Sequence, residues 1–402
     1  MKRIPWVDCR LVLLGMVVAC SWPACAQSPS PPLTRSWEGE EFSLQLFDNS
    51  DSYSCVTAIN NQGHVIGIRE AANEDGTILS QKSWYSDGKR TRDVPLLEGF
   101  TNIVAEAISD SGLVVGFASR KMGHPQGSLV GFVWDPQSET PMRLSPARGD
   151  TASHAFDITA DGARVCGYTT GANPARLRPC VWDWNDQVQR WEVTVLEAVF
   201  DYNPYLMTGR AVISPNGSQV AACVTERFLG EGRIDSSLYV WKATDSGWRR
   251  TQLSPLQMRL HDINNAGVMV GDLAQPTARV PCRIDADGQV IELGFLPGDR
   301  SGEARGINAS GWIVGFSDNP GNLDSGPRAF LLRGESIEQL PLPDESIFSA
   351  AYAINDRGQI GGLADVSLPD SQAVDPESGK PQEIVKTVGF VWTPRADGTK
   401  SR

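Results

Sequence analysis

No run in this 402-residue chain reaches the roughly eighteen apolar residues of a membrane-crossing helix, so no segment reads as a span. The cysteines form no CxxC and no zinc-type spacing. GxSxG, HExxH, P-loop and EF-hand motifs are missing too, which removes the motif-borne routes to a serine hydrolase, a zinc peptidase, a nucleotide site or a calcium loop. Only four histidines occur, His64, His124, His154 and His261, at unequal places in the pattern described below, and no metal cluster or cofactor is expected of them. Positive charge is also short, with 36 Lys and Arg against 48 Asp and Glu and a formal charge of −12. Such a surface repels phosphate backbones, so nucleic acid is not an expected partner.

What is present begins with a leader. Lys2, Arg3 and Arg10 precede the apolar run Leu11 to Cys20, and Ala24-Cys25-Ala26 offers a small-x-small cleavage site. Residues 1–26 therefore read as a secretory signal peptide. Val17-Val18-Ala19-Cys20 leaves a second route open, in which Cys20 is lipidated and anchors the chain. Either way the expected location is secreted or periplasmic. Without the leader the charge is −14 and five cysteines remain, Cys55, Cys166, Cys180, Cys223 and Cys282, so at least one thiol is unpaired in a monomer. Residues 27–36 read as a Pro/Ser-rich linker, 37–394 as one repeat domain and 395–402 as a polar tail.

The repeat is the dominant feature. AINNQGHVIG, AISDSGLVVG, DITADGARVCG, VISPNGSQVAA, DINNAGVMVG, GINASGWIVG and AINDRGQIGG are copies of one pattern. Their anchoring isoleucines, Ile59, Ile108, Ile158, Ile213, Ile263, Ile307 and Ile354, are spaced by 49, 50, 55, 50, 44 and 47 residues. Within each copy an Asn, Ser or Thr opens a turn and a glycine, a residue that tolerates positive φ, closes it, with apolar alternation on both sides making a hairpin. A further strand follows, ending in Trp84, Trp134, Trp182, Trp241 or Trp392 in five copies, and then a short outer strand such as Ile291 to Leu296. Four β-patterned segments per unit and no helical periodicity predict an all-β fold, a seven-bladed β-propeller of four-stranded blades. Copies three and four carry one extra residue between the glycine of the turn and the next small residue, which predicts a bulge or an offset register there. Copy seven lacks a fourth strand, and FSLQLF from Phe42 resembles IELGFL from Ile291, so an N-terminal strand is expected to complete the last blade and close the ring.

The AINxxGxVVG pattern with its AFLW-like third strand resembles the bacterial extracellular HAF-repeat family, within a WD-repeat-like strand order, over nearly the whole chain after the leader. The His-Ala-Phe triplet is absent from every third strand, and His154-Ala155-Phe156 stands in a first-strand position. The resemblance implies an exported repeat protein and supplies no catalytic residues.

Candidate sites come from residues the repeat does not require. Phe100, Tyr202, Tyr205 and Phe348 lie in loops expected on one face of the propeller and are the expected ligand contacts. The connection from Ser367 to Thr387 on that face is polar and acidic. Recurrence of the tryptophans at one strand position predicts packing between blades. Cys166 and Cys180 fall in neighbouring antiparallel strands, where a disulfide is one outcome and two buried thiols the other. No acid/base pair can be nominated. The expectation is thus a monomeric, exported, non-enzymatic propeller that binds or scaffolds a protein or glycan, with a hydrolase or lyase working in the central channel as the alternative. Carboxylates converging in the channel are the feature that favours the enzyme.

Overall fold

The structure is a computed structural model, which describes residues 33–38, 42–48, 53–72, 78–120, 129–171, 177–196, 205–207, 210–228, 233–254, 258–322, 326–342, 346, 348–374 and 381–395. The leader, Cys20 and Tyr202 lie outside these residues. Among the described residues the only regular elements are strands.

Unit five displays the recurring sheet. Its strands Met258–Ile263, Met269–Ala274, Arg279–Ile284 and Val290–Glu292 pair antiparallel in sequence order. Units two, three and six repeat that order. In unit four the first strand is split into Tyr205–Met207 and Val212–Ile213, both paired with Gln219–Phe228. Unit seven supplies Ser349–Ile354, Ile360–Val374 and Pro381–Pro394, and Phe42–Asp48 pairs with the last of these in the place of a fourth strand. Leu33–Glu38 then adds outside it, so regular structure starts within the stretch expected as linker. The connection expected from Ser367 to Thr387 is largely an extension of the second and third strands of unit seven, which stay paired from Ile360 to Pro369.

The turn motif does two jobs at once. In unit one Asn60 Oδ1 accepts from the Gln62 and His64 N–H groups at 3.1 and 2.8 Å, closing the turn. Gly63 then takes φ of 84°, a backbone region that side chains disfavour. The Asn60 amide is left over, and its Nδ2 donates to Ser109 O of unit two at 2.8 Å. Asn264, Asn308 and Asn355 repeat this, donating to Asn308 O, Asn355 O and Asn60 O. Ser111 N to Ala160 O, Ala160 N to Pro215 O and Asn216 N to Asn265 Oδ1 link the remaining tips. Each turn is therefore hydrogen-bonded to the next, and the last to the first. The first strands touch in the same cyclic order.

The extra residue of copies three and four offsets the register of the turn and makes no bulge there. There Thr159 N reaches Arg164 O and Ser214 N reaches Gln219 O, one residue farther along than Ser109 N to Leu113 O. The bulges fall elsewhere, in the first strands, at Val56/Ala58, Ala105/Ala107, Ala155/Asp157, Leu260/Asp262, Ala304/Gly306 and Ala351/Ala353.

The tryptophans pack between units, as their recurrence suggests. Trp134 lies with Ile66 and Tyr85 of unit one, Trp182 with Val115 of unit two and Trp241 with Cys166 of unit three. All five are nearly inaccessible, so these seams are core rather than a sugar-stacking surface.

The disulfide outcome is corrected. Cys166 is opposite Val181 and Cys180 is opposite Gly167, a stagger of one residue that turns the two side chains to opposite faces of the sheet. Cys166 packs in the seam with Trp241 and Cys180 in the seam with Trp182, both as free thiols whose pKa is pushed up by burial.

Candidate functional site

One rung of the first hairpin, just ahead of the bulge, distinguishes the units. Its cross-strand pairs are Cys55 with Ile68, Val104 with Phe117, His154 with Tyr168, Arg259 with Asp272, Glu303 with Phe316, and Ala350 with Leu363. Units seven, one and two fill this rung with apolar side chains, which join Phe316, Tyr352 and Leu129 in one buried cluster. Units five and six place Arg259, Asp272 and Glu303 there instead. The bulge leaves the next residue unpaired in the ladder and re-aims it, and in these units that residue is His261 or Arg305.

The charged residues converge. His261 Nε2 is 2.8 Å from Asp272 Oδ1 and 3.9 Å from Glu303 Oε2. Arg259 Nε lies 3.2 Å from both Asp272 oxygens, and its Nη2 donates to Glu303 Oε1. Arg279 Nη1 donates to that same oxygen, and Arg305 Nη2 contacts Glu303 Oε2. The Asp272, Glu303 and Arg305 side chains are 1%, 3% and 1% exposed, while Arg279 is 42% exposed. The cluster is thus a buried ion network with one guanidinium at its rim. Burial raises the Glu303 pKa, Asp272 adds to the rise, and Arg305, Arg259 and His261 oppose it. Arg305 is also held by rings, with its Cζ 5.7 Å from the Phe316 centroid and 5.6 Å from that of Tyr352. Neighbouring Asp318 is pushed up to about 6, chiefly by burial.

Among the described residues His261, Asp272 and Glu303 are the one such group close enough to share a metal ion. The donor set does not fit a cation, because three guanidiniums already occupy the same two carboxylates and would repel it. It suits proton transfer beside a stabilised negative charge.

A second polar group lies in units two to four. His154 stacks between Phe117 and Phe156 at 4.2 and 4.1 Å, with Nδ1 3.3 Å from Tyr168 Oη and Nε2 3.8 Å from Glu106. Burial pushes the His154 pKa down. Asp157 and Asp262 each clip two units together, the first accepting from Ile158 N and Ile213 N, the second from Ile263 N and Ile307 N. Burial, with the Asp157 charge, pushes the Asp262 carboxyl up to about 7.

The expected ligand contacts fare differently from the expected face. Arg279 opens its strand directly after the second-to-third connection, so the charged cluster sits toward the end where contacts were expected. Phe100 is half-buried in its own seam, with Arg120 and Arg143 over its ring at 5.9 and 5.4 Å. Phe348 packs against the apolar cluster. Tyr205 lies in the split first strand of unit four, opposite Glu226, and Tyr202 falls outside the described residues. None of the four is brought to His261, Asp272 and Glu303 by any described contact. The signal for those residues stood in the first strands MRLHDI and SGEARGI and in the second strand MVGDLA, which carry charge where the other copies are mostly small or apolar.

No protein-family profile and no curated protein matches the chain. Its fold is similar to solved propellers. The β-propeller domain of the trilobed protease from Pyrococcus furiosus superposes with a TM-score of 0.52 at 9% identity, covering 88% of this chain and 95% of that one. A prolyl endopeptidase gives 0.54 at 14% identity over 84% of this chain and 49% of the other. The acylaminoacyl peptidase of Pyrococcus horikoshii gives 0.50 at 10% identity, over 87% and 53%. The chain spans about half the length of the last two. The likeness identifies the fold as a β-propeller. The expectation of a non-enzymatic binding or scaffold propeller is corrected here: the similar solved propellers are those of peptidases, and two carboxylates converge on a histidine, His261 and Glu303 from first strands and Asp272 from the second strand of unit five.

Proposed function

We propose that the chain is a hydrolase or lyase whose active site lies in the central channel at His261, Asp272 and Glu303. The observation that carries this reading is the buried His261 to Asp272 contact of 2.8 Å, set against guanidiniums from three strands. Asp272 orients His261, and His261 removes a proton from water or from a carbon acid. Arg259 and Arg279 stabilise the negative charge that develops as the bond to the leaving group breaks. Both reaction classes begin with the proton transfer to His261, and the protonated imidazole returns that proton to the departing group.

The scaffold in this reading is a seven-bladed ring of the HAF-repeat kind, exported by its N-terminal segment and closed by Phe42–Asp48. The cyclic hydrogen bonds of the turn tips and the pairing of Phe42–Asp48 with Pro381–Pro394 support closure. Deleting Thr34 to Phe47 should then lower the melting temperature strongly, and an unchanged value would refute closure.

The activity is tested by incubating the purified protein with peptide, ester and glycan panels and reading products by mass spectrometry. Turnover that disappears in His261→Ala is expected. Turnover surviving that substitution, or none on any panel, would overturn the reading.

A further inference from the structure

We infer that this site takes a carboxylate-bearing small molecule, docked on Arg279 at the rim; the inference rests on the channel-site reading above. Three guanidiniums contact Asp272 and Glu303. They differ in how far a ligand can reach them. Arg305 is buried between two rings and Arg259 spans Asp272 and Glu303, whereas Arg279 is 42% exposed.

A guanidinium carries five N–H donors in a planar fork that matches a carboxylate in two-point contact. Among the described residues the Arg279 side chain donates only to Glu303, through Nη1. The side chain is 42% exposed, which leaves it open to a ligand. Glu303 holds the root of that fork in place, so an incoming carboxylate meets a preorganised partner rather than a free side chain. His261 Nε2 lies 3.9 Å from the other oxygen of the same Glu303, so the anchored fork and the imidazole share one carboxylate.

Charge on the rest of the molecule makes this placement specific. A chain of formal charge −12 repels acidic ligands generally, and this network gathers arginines against that background. Asp318 and Asp299 stand nearby, but Asp299 is paired with Arg328 and the Asp318 carboxyl is pushed up to about 6. Acidification through that value removes the Asp318 charge beside the site.

The test uses the whole exported chain and isothermal titration with succinate, its uncharged diamide, inorganic phosphate and Mn²⁺ as probes. Succinate is expected to bind, the diamide not to bind measurably, and Arg279→Ala to weaken succinate at least about tenfold, as a charge-assisted contact requires. Because Arg279 is half-exposed its loss should leave the melting temperature nearly unchanged, and Arg279→Lys should recover part of the affinity. Equal binding of the diamide, unaltered succinate binding in Arg279→Ala, tighter binding of phosphate than succinate, or Mn²⁺ binding that is lost in His261→Ala would each overturn the inference. Turnover separates the two readings. A neutral substrate consumed in a His261-dependent way refutes the substrate class alone, and succinate binding without any turnover on the panels refutes the reaction alone.

Discussion

Two groups of units share one backbone and differ in what fills it. At the same rung, units seven, one and two hold Ala350 with Leu363, Cys55 with Ile68, and Val104 with Phe117, while units five and six hold Arg259 with Asp272, and Glu303. The apolar side is stabilised by burial and dispersion and is indifferent to pH and salt. The charged side must neutralise every ion it removes from water, and does so by tying Asp272 and Glu303 to three arginines and a histidine. A repeat holds the hairpin constant so that two of its units can depart from it in side chains alone.

Breaking the charged side should have the largest effect. Glu303→Ala leaves Arg305 buried without its carboxylate and is expected to destabilise the fold by about 3–5 kcal/mol in denaturant unfolding, besides ending turnover. A loss under about 1 kcal/mol would mean that the network is not coupled. On the apolar side Leu363→Ala removes a side chain that is 1% exposed, and a loss of about 3 kcal/mol is expected with turnover by the folded fraction retained.

pH sharpens the contrast. The Asp262 carboxyl is held up to about 7 in the folded chain, above its ordinary value of 3.8. The folded state therefore keeps a proton that the unfolded state releases, so this group stabilises fully at low pH and its contribution is lost as pH rises from about 4 through 7. Asp262→Asn should flatten that decline in melting temperature, though its baseline falls because one backbone N–H loses an acceptor. A decline of unchanged slope would assign it to other groups, Asp318 first. Phe100→Leu should have the smallest effect, about 0.5–1 kcal/mol from the lost guanidinium contacts, with no change in turnover.

The scaffold was readable because repetition makes weak local signals add. The Asn355 and Gly358 turn, the tryptophan seams and the partner strand at Phe42 each follow from residue type and spacing. What the motif could not convey is the second use of its asparagine, since a hydrogen bond from Asn355 to Asn60 spans 295 residues and has no local trace. Which of the two outcomes holds for Cys166 and Cys180 turned on a one-residue stagger, a register detail that hydrophobic spacing leaves open. The site was missed for a similar reason. His261, Asp272 and Glu303 come from three strands in two units, and aromatic loop residues such as Phe100 drew attention as exceptions to the repeat while charged exceptions inside the first strands did not.

The decisive comparison is the ratio of kcat/KM between His261→Ala and Leu363→Met on whichever panel substrate the wild-type chain consumes. Loss of at least about 100-fold in His261→Ala, beside a change within about twofold in the volume-conserving Leu363→Met, is the predicted result. Equal losses in the two, or a His261→Ala protein as fast as the wild type, would contradict the placement of the chemistry on the charged side of the channel.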